Sequence, residues 1–240
     1  MSMDTHSHNS YLRNKDLIDQ AKLDSATVIG AGGIGSALIQ GASIMGFKSL
    51  KVWDADILEE HNLSTTTFPD ECLGTNKADA AMYFASKFKG KVKPYNNFWE
   101  DGYPLENKVF IGPDNMGIRK KIYNSWKQNP KREFLIDMRM GSLSLEIITV
   151  TKDADFYEES WLEDGKIPDE VCTMKHTIFA GSIAANLGLS QAFNVLNNRA
   201  FYSYIWMSLS PTSFRRQHLI TPKIEEVADA ASPKSIDRLG

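Results

Sequence analysis

The stretch Ser25-Ala-Thr-Val-Ile-Gly30-Ala-Gly-Gly-Ile-Gly35-Ser-Ala-Leu38 decides the fold of this chain. An apolar run leads into a glycine loop and a helical pattern follows, which is the order of a β-strand, a tight turn and an α-helix. Gly30, Gly32 and Gly35 have the spacing of a dinucleotide-binding loop. The backbone N–H groups of such a loop and the N-terminus of the following helix favour phosphate oxygens. The stretch therefore predicts a nucleotide-binding α/β fold.

A second apolar run, Ser49–Asp54, ends in an acid 19 residues after Gly35. An acid at this place in nucleotide-binding α/β folds accepts hydrogen bonds from ribose hydroxyls. The glycine loop by itself is also compatible with a close helix–strand contact that binds nothing. The strand before the loop, the helix after it and the acid together favour a nucleotide site.

Strand and helix patterns alternate along the rest of the chain, which predicts a Rossmann-like, doubly wound, mainly parallel sheet with a C-terminal antiparallel extension. Residues 1–15 are predicted to be a flexible arm, residues 16–222 a single domain and residues 223–240 a loosely ordered tail. Beyond Ser25–Gly30 and Ser49–Asp54, the predicted strands are Lys91–Phe98, Lys108–Gly112, Glu133–Met138, Leu143–Thr151, Phe201–Leu209 and Phe214–Ile220. The predicted helices are Gly33–Met45, Lys77–Phe88, Met116–Lys127 and Thr177–Asn197, with Asp153–Val171 as an irregular surface crossover.

Composition and charge indicate which kinds of partner the protein binds and in which compartment of the cell it works. The formal net charge of −3 gives no reason to expect nucleic acid as a partner. No apolar run approaches the ~20 residues that span a bilayer, so no membrane segment is expected. The two cysteines cannot build a disulfide framework, which suits a reducing cytoplasm. A cytoplasmic protein is therefore expected.

Four motifs in this order resemble the ThiF/MoeB/HesA group, the adenylating enzymes related to ubiquitin-activating enzymes. The resemblance runs from about Arg13 to Ile220, nearly the whole chain. The motifs are the glycine loop Gly30–Ser36, the acids Asp54 and Asp56 with Asn62-Leu63, Gly74-Thr-Asn-Lys77, and Asp114-Asn115 with Arg119. The run Arg139-Met140-Gly141 resembles phage and bacterial members of the group.

The resemblance implies an enzyme that joins the C-terminal carboxylate of a small ubiquitin-like or sulfur-carrier protein to the α-phosphate of ATP, releasing pyrophosphate. It implies ATP and Mg²⁺ as cofactors, and a homodimer. Asp114 would be catalytic and would hold the magnesium–triphosphate, although Asp114 also suits an N-cap of the next helix. The residues implied to bind the nucleotide are Gly30, Gly32, Gly33, Gly35, Asp54, Asp56, Asn62, Lys77, Asp114 and Asn115.

The chain departs from the family pattern at two points. Family members usually continue Asn-Leu with an arginine that reaches the nucleotide phosphates, whereas Ser64-Thr65-Thr66-Thr67 follows here. Arg13, lent by the neighbouring subunit of a dimer, and Arg139 are two candidate substitutes. The chain also has no Cys-x-x-Cys pair, so the structural zinc site of many relatives is excluded.

Cys172 is the best candidate for a nucleophile that forms a thioester or persulfide, because the resemblance puts the reactive cysteine of several branches just before the last long helix. Lys175 and His176 lie close enough in sequence to lower the pKa of its thiol. An inert, buried cysteine remains the alternative, and Cys72 is a weaker candidate. Two other functions also remain open: a degenerate, non-catalytic scaffold and an NAD-dependent oxidoreductase.

Overall fold

The computed structural model describes residues 16–160 and 177–221, which contain an eight-stranded mixed sheet. The strands lie in the order β3-β2-β1-β4-β5-β6-β7-β8. The strands are β1 Ser25–Ile29, β2 Ser49–Trp53, β3 Val92–Tyr95, β4 Lys108–Ile111, β5 Phe134–Gly141, β6 Ser144–Thr151, β7 Phe201–Leu209 and β8 Thr212–Ile220. The helices are α1 Gly33–Met45, α2 Lys77–Ser86, α3 Met116–Lys127 and α4 Ile178–Leu196.

The strands β3, β2, β1, β4 and β5 pair in parallel, and β6, β7 and β8 extend the sheet in antiparallel pairs. This arrangement confirms the predicted fold class. Helices cover both faces of the sheet, so residues on both sides of the central strands are buried. These strands are therefore mainly apolar and do not alternate between apolar and polar residues. One hydrophobic cluster joins the sheet to α1, α2 and α4, and a second joins it to α3.

The segment between β3 and β4 differs from the prediction. The predicted strand Lys91–Phe98 already ends at Tyr95, and residues 96–107 form an irregular connection that is anchored by the buried Trp99. Phe98, which the apolar pattern assigned to the strand, is 67% exposed. The stacked rings of Tyr95 and Tyr103 cover Trp53 instead. Aromatic stacking thus supplies the cover on this part of the sheet.

The strands β5 and β8 are longer than their apolar patterns. β5 continues past Met138 to Gly141 because each added residue pairs with β6, and β8 begins at Thr212 because it pairs with the end of β7. Ladder hydrogen bonds do not depend on side-chain polarity, so hydrophobic periodicity underestimates such strands.

The register of the sheet aligns one row of residues across five strands. Ile111, the last residue of β4, lies beside Asp137 of β5, which lies beside Ile148 of β6. The row continues through Tyr204 of β7 to Gln217 of β8. The carboxyl end of β4, where parallel sheets bind ligands, is therefore level with the middle of the antiparallel extension.

Some predictions fall outside the described residues. These are the arm 1–15 with Arg13, the tail 223–240, and Cys172 with its neighbours Lys175 and His176. Among the described helices, none combines the length and the hydropathy that crossing a bilayer requires.

Candidate nucleotide site

The glycine loop is a tight turn between β1 and α1. Gly30 has a φ of +92°, and its N–H donates to the carbonyl oxygen of Trp53 at 2.9 Å. A Cβ atom at Gly35 would overlap the carbonyl oxygen of Gly30, so α1 can approach the strand only with glycine at this position. A Cβ atom at Gly32 would meet nothing within 4 Å. The loop therefore leaves open space at Gly32, at the N-terminus of α1.

Asp54 follows β2 and is tied to the glycine loop. Its Oδ2 accepts a hydrogen bond from the N–H of Ala31 at 2.6 Å, and its Oδ1 accepts one from the N–H of Asp56 at 2.9 Å. Burial raises the pKa of the Asp54 carboxyl, while these N–H groups and the charge of Lys77 act in the opposite direction. Asp54 thus positions the glycine loop as well as offering lone pairs at its edge.

Lys77 is the first residue of α2 and points toward the same edge. Its Nζ lies 2.8 Å from Oδ2 of Asp56, and its side chain is only 11% exposed. Asn76 caps this helix by accepting from the N–H of Ala78, and its Nδ2 donates to the carbonyl oxygen of Asp54. Asp54, Asp56 and Lys77 are therefore joined in one polar cluster beside the glycine loop.

The loop that carries Asn62 packs against the start of α1. The side chain of Asn62 accepts a hydrogen bond from the N–H of Glu59 at 3.0 Å, as part of a reciprocal capping interaction. The N–H of Thr67 donates to Oγ of Ser36, and the carbonyl oxygen of Thr65 lies 3.0 Å from where a Cβ of Gly33 would be. The threonine run Thr65-Thr66-Thr67 thus contacts the first turn of α1.

Asp114 lies beyond the carboxyl end of β4, beside the glycine loop. A Cβ atom at Gly30 would lie 3.2–3.3 Å from Gly112 and Pro113. Asp114 is exposed, and within residues 16–160 and 177–221 no hydrogen bond or ion pair engages its carboxylate. Asn115, not Asp114, is the N-cap of α3, since its Oδ1 accepts from the N–H of Ile118 at 3.0 Å. The Asp114 carboxylate is thus left available at the edge of the sheet.

A buried ionic cluster lies behind Asp114, formed by Arg119, Asp137, Arg139 and Tyr157 (the Asp137 network). Arg119 of α3 pairs with Asp137 and donates to the carbonyl oxygen of Pro113. The Asp137 side chain is 0% exposed and also accepts from the Tyr157 hydroxyl at 2.8 Å and from Arg139 at 2.8 Å. The network links the segment just before Asp114 to β5 and to the turn Tyr157–Ser160.

Sequence reasoning did not assign a role to Asp137 or Tyr157. A charged residue directly after the apolar run Phe134–Ile136 was the available signal, because a buried carboxylate in a strand needs partners. Arg139 was a candidate phosphate cation, but its guanidinium contacts Asp137 and also donates to the carbonyl oxygen of Ser160 at 3.0 Å. The guanidinium of Arg139 is thus engaged by the carboxylate of Asp137 in this structure.

The structure groups most of the predicted nucleotide residues at one edge. The glycine loop, Asp54, Asp56 and Lys77 form a continuous set of contacts, and Gly112 and Pro113, just before Asp114, border the loop. The side chains of Asn62 and Asn115 cap short backbone segments. Cys72 is 3% exposed, and burial raises the pKa of its thiol, which disfavours a nucleophile there. In the described part of the chain, no three His, Cys, Asp or Glu side chains are grouped closely enough to hold a metal ion.

The residues at this edge of the sheet lie within a match to a known protein family. The ThiF family model matches residues 9–123. Residues 9–123 thus belong to the ThiF family. The matched residues include the glycine loop, Asp54, Lys77 and Asp114, so the family resemblance expected from the four motifs is confirmed.

Curated relatives of this ThiF family domain include NEDD8-activating enzymes. The E1 catalytic subunit from Drosophila melanogaster is 31% identical over 102 residues, which cover 40% of this chain and 23% of that protein. The subunit from Arabidopsis thaliana is 33% identical over 130 residues, covering 48% of this chain and 28% of that protein. The matches thus span about a quarter of the length of these relatives.

Solved structures share the fold at low sequence identity. The crystal structure of PaaA superposes with a TM-score of 0.73 at 16% identity, over 90% of this chain and 75% of that one. The structure of Escherichia coli MccB with ATP gives a TM-score of 0.66 at 15% identity, over 91% of this chain and 74% of that one. The structure of the microcin C7 biosynthetic enzyme MccB in complex with N-formylated MccA gives a TM-score of 0.70 at 13% identity, over 93% of this chain and 76% of that one.

Proposed function

We propose that this ThiF family protein is an ATP-dependent adenylyltransferase that activates the C-terminal carboxylate of a small ubiquitin-like or sulfur-carrier protein. The observation that carries the proposal is the exposed, unengaged Asp114 carboxylate beside a glycine loop that is open at Gly32. The α-phosphate would lie between these two features. The carboxylate of the carrier attacks phosphorus, the bond to the β-phosphate breaks, and an acyl-adenylate and pyrophosphate form.

The reaction brings two anions together, so neutralising charge should dominate the rate. The N-terminus of α1 supplies partial positive charge at Gly32 and Gly33. Lys77 supplies a full charge, and its partner Asp56 keeps its side chain at this edge before the nucleotide binds. The buried Asp137 network fixes Pro113, and thereby the direction in which Asp114 leaves β4.

The residues present also fit magnesium. Mg²⁺ binds through one or two carboxylates together with phosphate oxygens and water, and it needs no cage of protein ligands. Asp114 would hold it, and the ion would neutralise the triphosphate. This fit agrees with a site whose exposed carboxylates, Asp114 and Asp56, lie near the glycine loop together with Lys77.

Relatives give indirect support for the nucleotide and for the kind of substrate. Solved MccB structures include a complex with ATP and one with N-formylated MccA, and the curated relatives are NEDD8-activating. Within this proposal the chain acts as a homodimer, in which Arg13 of one copy serves the site of the other. Cys172 stays a prediction: it would accept the activated acyl group after the nucleotide step.

The decisive experiment is ATP–pyrophosphate exchange with the purified chain and small carrier proteins encoded beside its gene. Exchange that needs both the carrier and Mg²⁺ is the expected result, because adenylate formation is reversible. ATP binding is measured in parallel by calorimetry, with NAD as the competing nucleotide. An NAD-dependent oxidoreductase would bind NAD in preference to ATP. The absence of both exchange and ATP binding would refute the proposal.

A degenerate scaffold is the second candidate, and the cation-poor site favours it. Lys77 is ion-paired with Asp56, Arg139 is engaged by Asp137, and threonine stands where relatives have an arginine. A scaffold would still bind the carrier and would give no pyrophosphate exchange with it. Exchange and binding measured on the same carrier therefore separate the two functions.

Gly32→Ala is expected to separate nucleotide binding from stability. The added methyl group has no neighbour within 4 Å in the protein, so the stability cost should be at most about 1 kcal/mol, as for an altered N-cap. The same methyl group would occupy the space where a phosphate approaches the backbone, so ATP affinity should fall by at least about tenfold. Thermal unfolding and calorimetry measure the two effects. Unchanged ATP affinity would show that phosphates do not approach Gly32.

A further inference from the structure

The segment after β2 contains two buried hydroxyl groups that have no hydrogen-bond partner. Thr66 is 6% exposed, and within residues 16–160 and 177–221 neither its Oγ1 nor that of Thr67 forms a hydrogen bond. Thr149 of β6 is the only other threonine in this part of the chain whose buried hydroxyl has no partner. Two of these three groups are thus adjacent in sequence. We call residues 65–67 the threonine loop.

A buried hydroxyl without a partner destabilises the folded protein, because it loses its hydrogen bonds to water and gains none in return. Thr65 shows how a threonine in a turn is usually satisfied, since its hydroxyl donates to the carbonyl oxygen of Asn62 at 3.1 Å. The hydroxyls of Thr66 and Thr67 make no such bond to the turn. Their partner is therefore to be sought in a bound ligand.

The threonine loop lies against the first turn of α1. The N–H of Thr67 donates to Oγ of Ser36 at 3.1 Å, and the carbonyl oxygen of Thr65 lies 3.0 Å from where a Cβ of Gly33 would be. Thr66 is held between these two contacts. The first turn of a helix carries N–H groups without intrahelical partners and a partial positive charge, and both favour phosphate oxygens. The two hydroxyls are therefore close to the helix terminus that would bind an anion.

The threonine loop and Asp114 approach the start of α1 from different strands. Asp114 follows β4 and the threonine loop follows β2, and β1 lies between these two strands in the sheet. When the α-phosphate lies between Gly32 and Asp114, the threonine loop is left for the phosphates that follow it in the chain of the triphosphate. Phosphate oxygens accept hydrogen bonds, and a threonine hydroxyl can donate one to a charged oxygen.

We propose that the hydroxyl groups of Thr66 and Thr67 donate hydrogen bonds to the β- and γ-phosphates of the bound nucleotide. This inference rests on the proposed function for the identity of the nucleotide and for the position of its α-phosphate. The two hydroxyls are neutral, so they hold the departing pyrophosphate without an ion pair. They make the site specific for a triphosphate, because a nucleoside monophosphate has no oxygen in their reach.

Ligand binding and thermal unfolding together test the proposal without any chemistry. Valine has the shape of threonine without the hydroxyl, so the variants are Thr66→Val and the double variant Thr66→Val/Thr67→Val. Calorimetry with the full chain in Mg²⁺ should show ATP affinity lowered about tenfold in Thr66→Val and further in the double variant, as for hydrogen bonds to a charged group. AMP affinity should stay unchanged.

The melting temperature of both valine variants should be unchanged or higher, because valine removes a buried polar group that has no partner in the folded protein. A loss of ATP affinity without a loss of stability is therefore the expected result. A lower melting temperature in Thr66→Val would show that the hydroxyl has a partner within the protein, and would overturn the inference.

Two control variants locate the effect. Thr149→Val removes the third such hydroxyl, on β6 at 1% exposure, and should bind ATP like the unaltered protein. Thr66→Ser keeps the hydroxyl and should also keep the ATP affinity. Unchanged ATP affinity in the double variant, an equal loss of AMP affinity, or the same loss in Thr149→Val would each overturn the inference.

Pyrophosphate exchange with the carrier protein is measured separately, so that the two proposals can fail independently. A selective loss of ATP affinity in the valine variants, without exchange by the unaltered protein, keeps the phosphate assignment and counts against the adenylyltransferase. Exchange by the unaltered protein with no change of ATP affinity in the double variant keeps the enzyme and refutes the assignment of the threonines. No ATP binding by the unaltered protein overturns both.

Discussion

Asp114→Ala is expected to lower ATP–pyrophosphate exchange by at least about 100-fold, a typical loss when a charge-stabilising group is removed from a reacting centre. The carboxylate is exposed and unengaged in the described part of the chain, and Asn115 supplies the N-cap of α3. Removing it therefore breaks no hydrogen bond or ion pair among the described residues, and the melting temperature should stay within a few degrees. Exchange kinetics and thermal unfolding on the same preparation measure both quantities.

The control for this prediction is Asp101→Ala, which removes another exposed carboxylate from the connection between β3 and β4. It should exchange pyrophosphate like the unaltered protein. Raising the Mg²⁺ concentration should partly restore an Asp114→Asn variant if the residue acts through the metal. Full activity of Asp114→Ala would remove Asp114 from the catalytic residues and would favour another carboxylate at the same edge.

Asp137→Ala is expected to lower the free energy of unfolding by about 3–5 kcal/mol, the usual cost of breaking a buried ion pair by removing one partner. Asp137 is 0% exposed, and its loss leaves Arg119, which is 5% exposed, without its carboxylate. The Tyr157 hydroxyl loses its acceptor as well. Denaturant unfolding followed by tryptophan fluorescence measures the change.

A double variant tests whether the unpaired charge causes this loss. Arg119→Met combined with Asp137→Leu removes both charges and should be clearly more stable than Asp137→Ala, since replacing a buried pair by apolar residues is often neutral. Asp153→Ala, at an exposed position, is the control and should change stability by less than about 0.5 kcal/mol. If the double variant is as unstable as the single one, the loss does not come from the charge of Arg119.

Much of the fold could be predicted because local patterns and tertiary structure agree in it. The strands β1 and β2 and the helices α1 and α3 have near-unbroken apolar or amphipathic patterns, and they appear within one residue of the predicted bounds. The connection between β3 and β4 could not be predicted, because its Tyr103 stacks on Trp53 beside Tyr95. Such a stack depends on contacts between residues that are distant in sequence.

Part of the candidate site could also be predicted from the sequence, and part of it depends on the tertiary structure. The sequence indicated the glycine loop, Asp54, Lys77 and Asp114, since these residue types follow strand ends at fixed spacing. It left open whether the Asp114 carboxylate caps α3 or stays available, and the structure assigns the cap to the amide oxygen of Asn115. The sequence also could not show which group the Arg139 side chain contacts, because a cation near a strand end can pair with either a phosphate or a carboxylate.

Short-range spacing along one chain was enough to predict the α/β class, the glycine loop and the ThiF family match of residues 9–123. Only the tertiary structure decided that Asp137 holds Arg119 and Arg139, and that Glu146 and Glu159 share a cavity with His218. These groups come from strands and turns as much as 72 residues apart, between Glu146 and His218. Sheet register and burial bring them together, and the cost of leaving a buried charge unpaired fixes which partners they take.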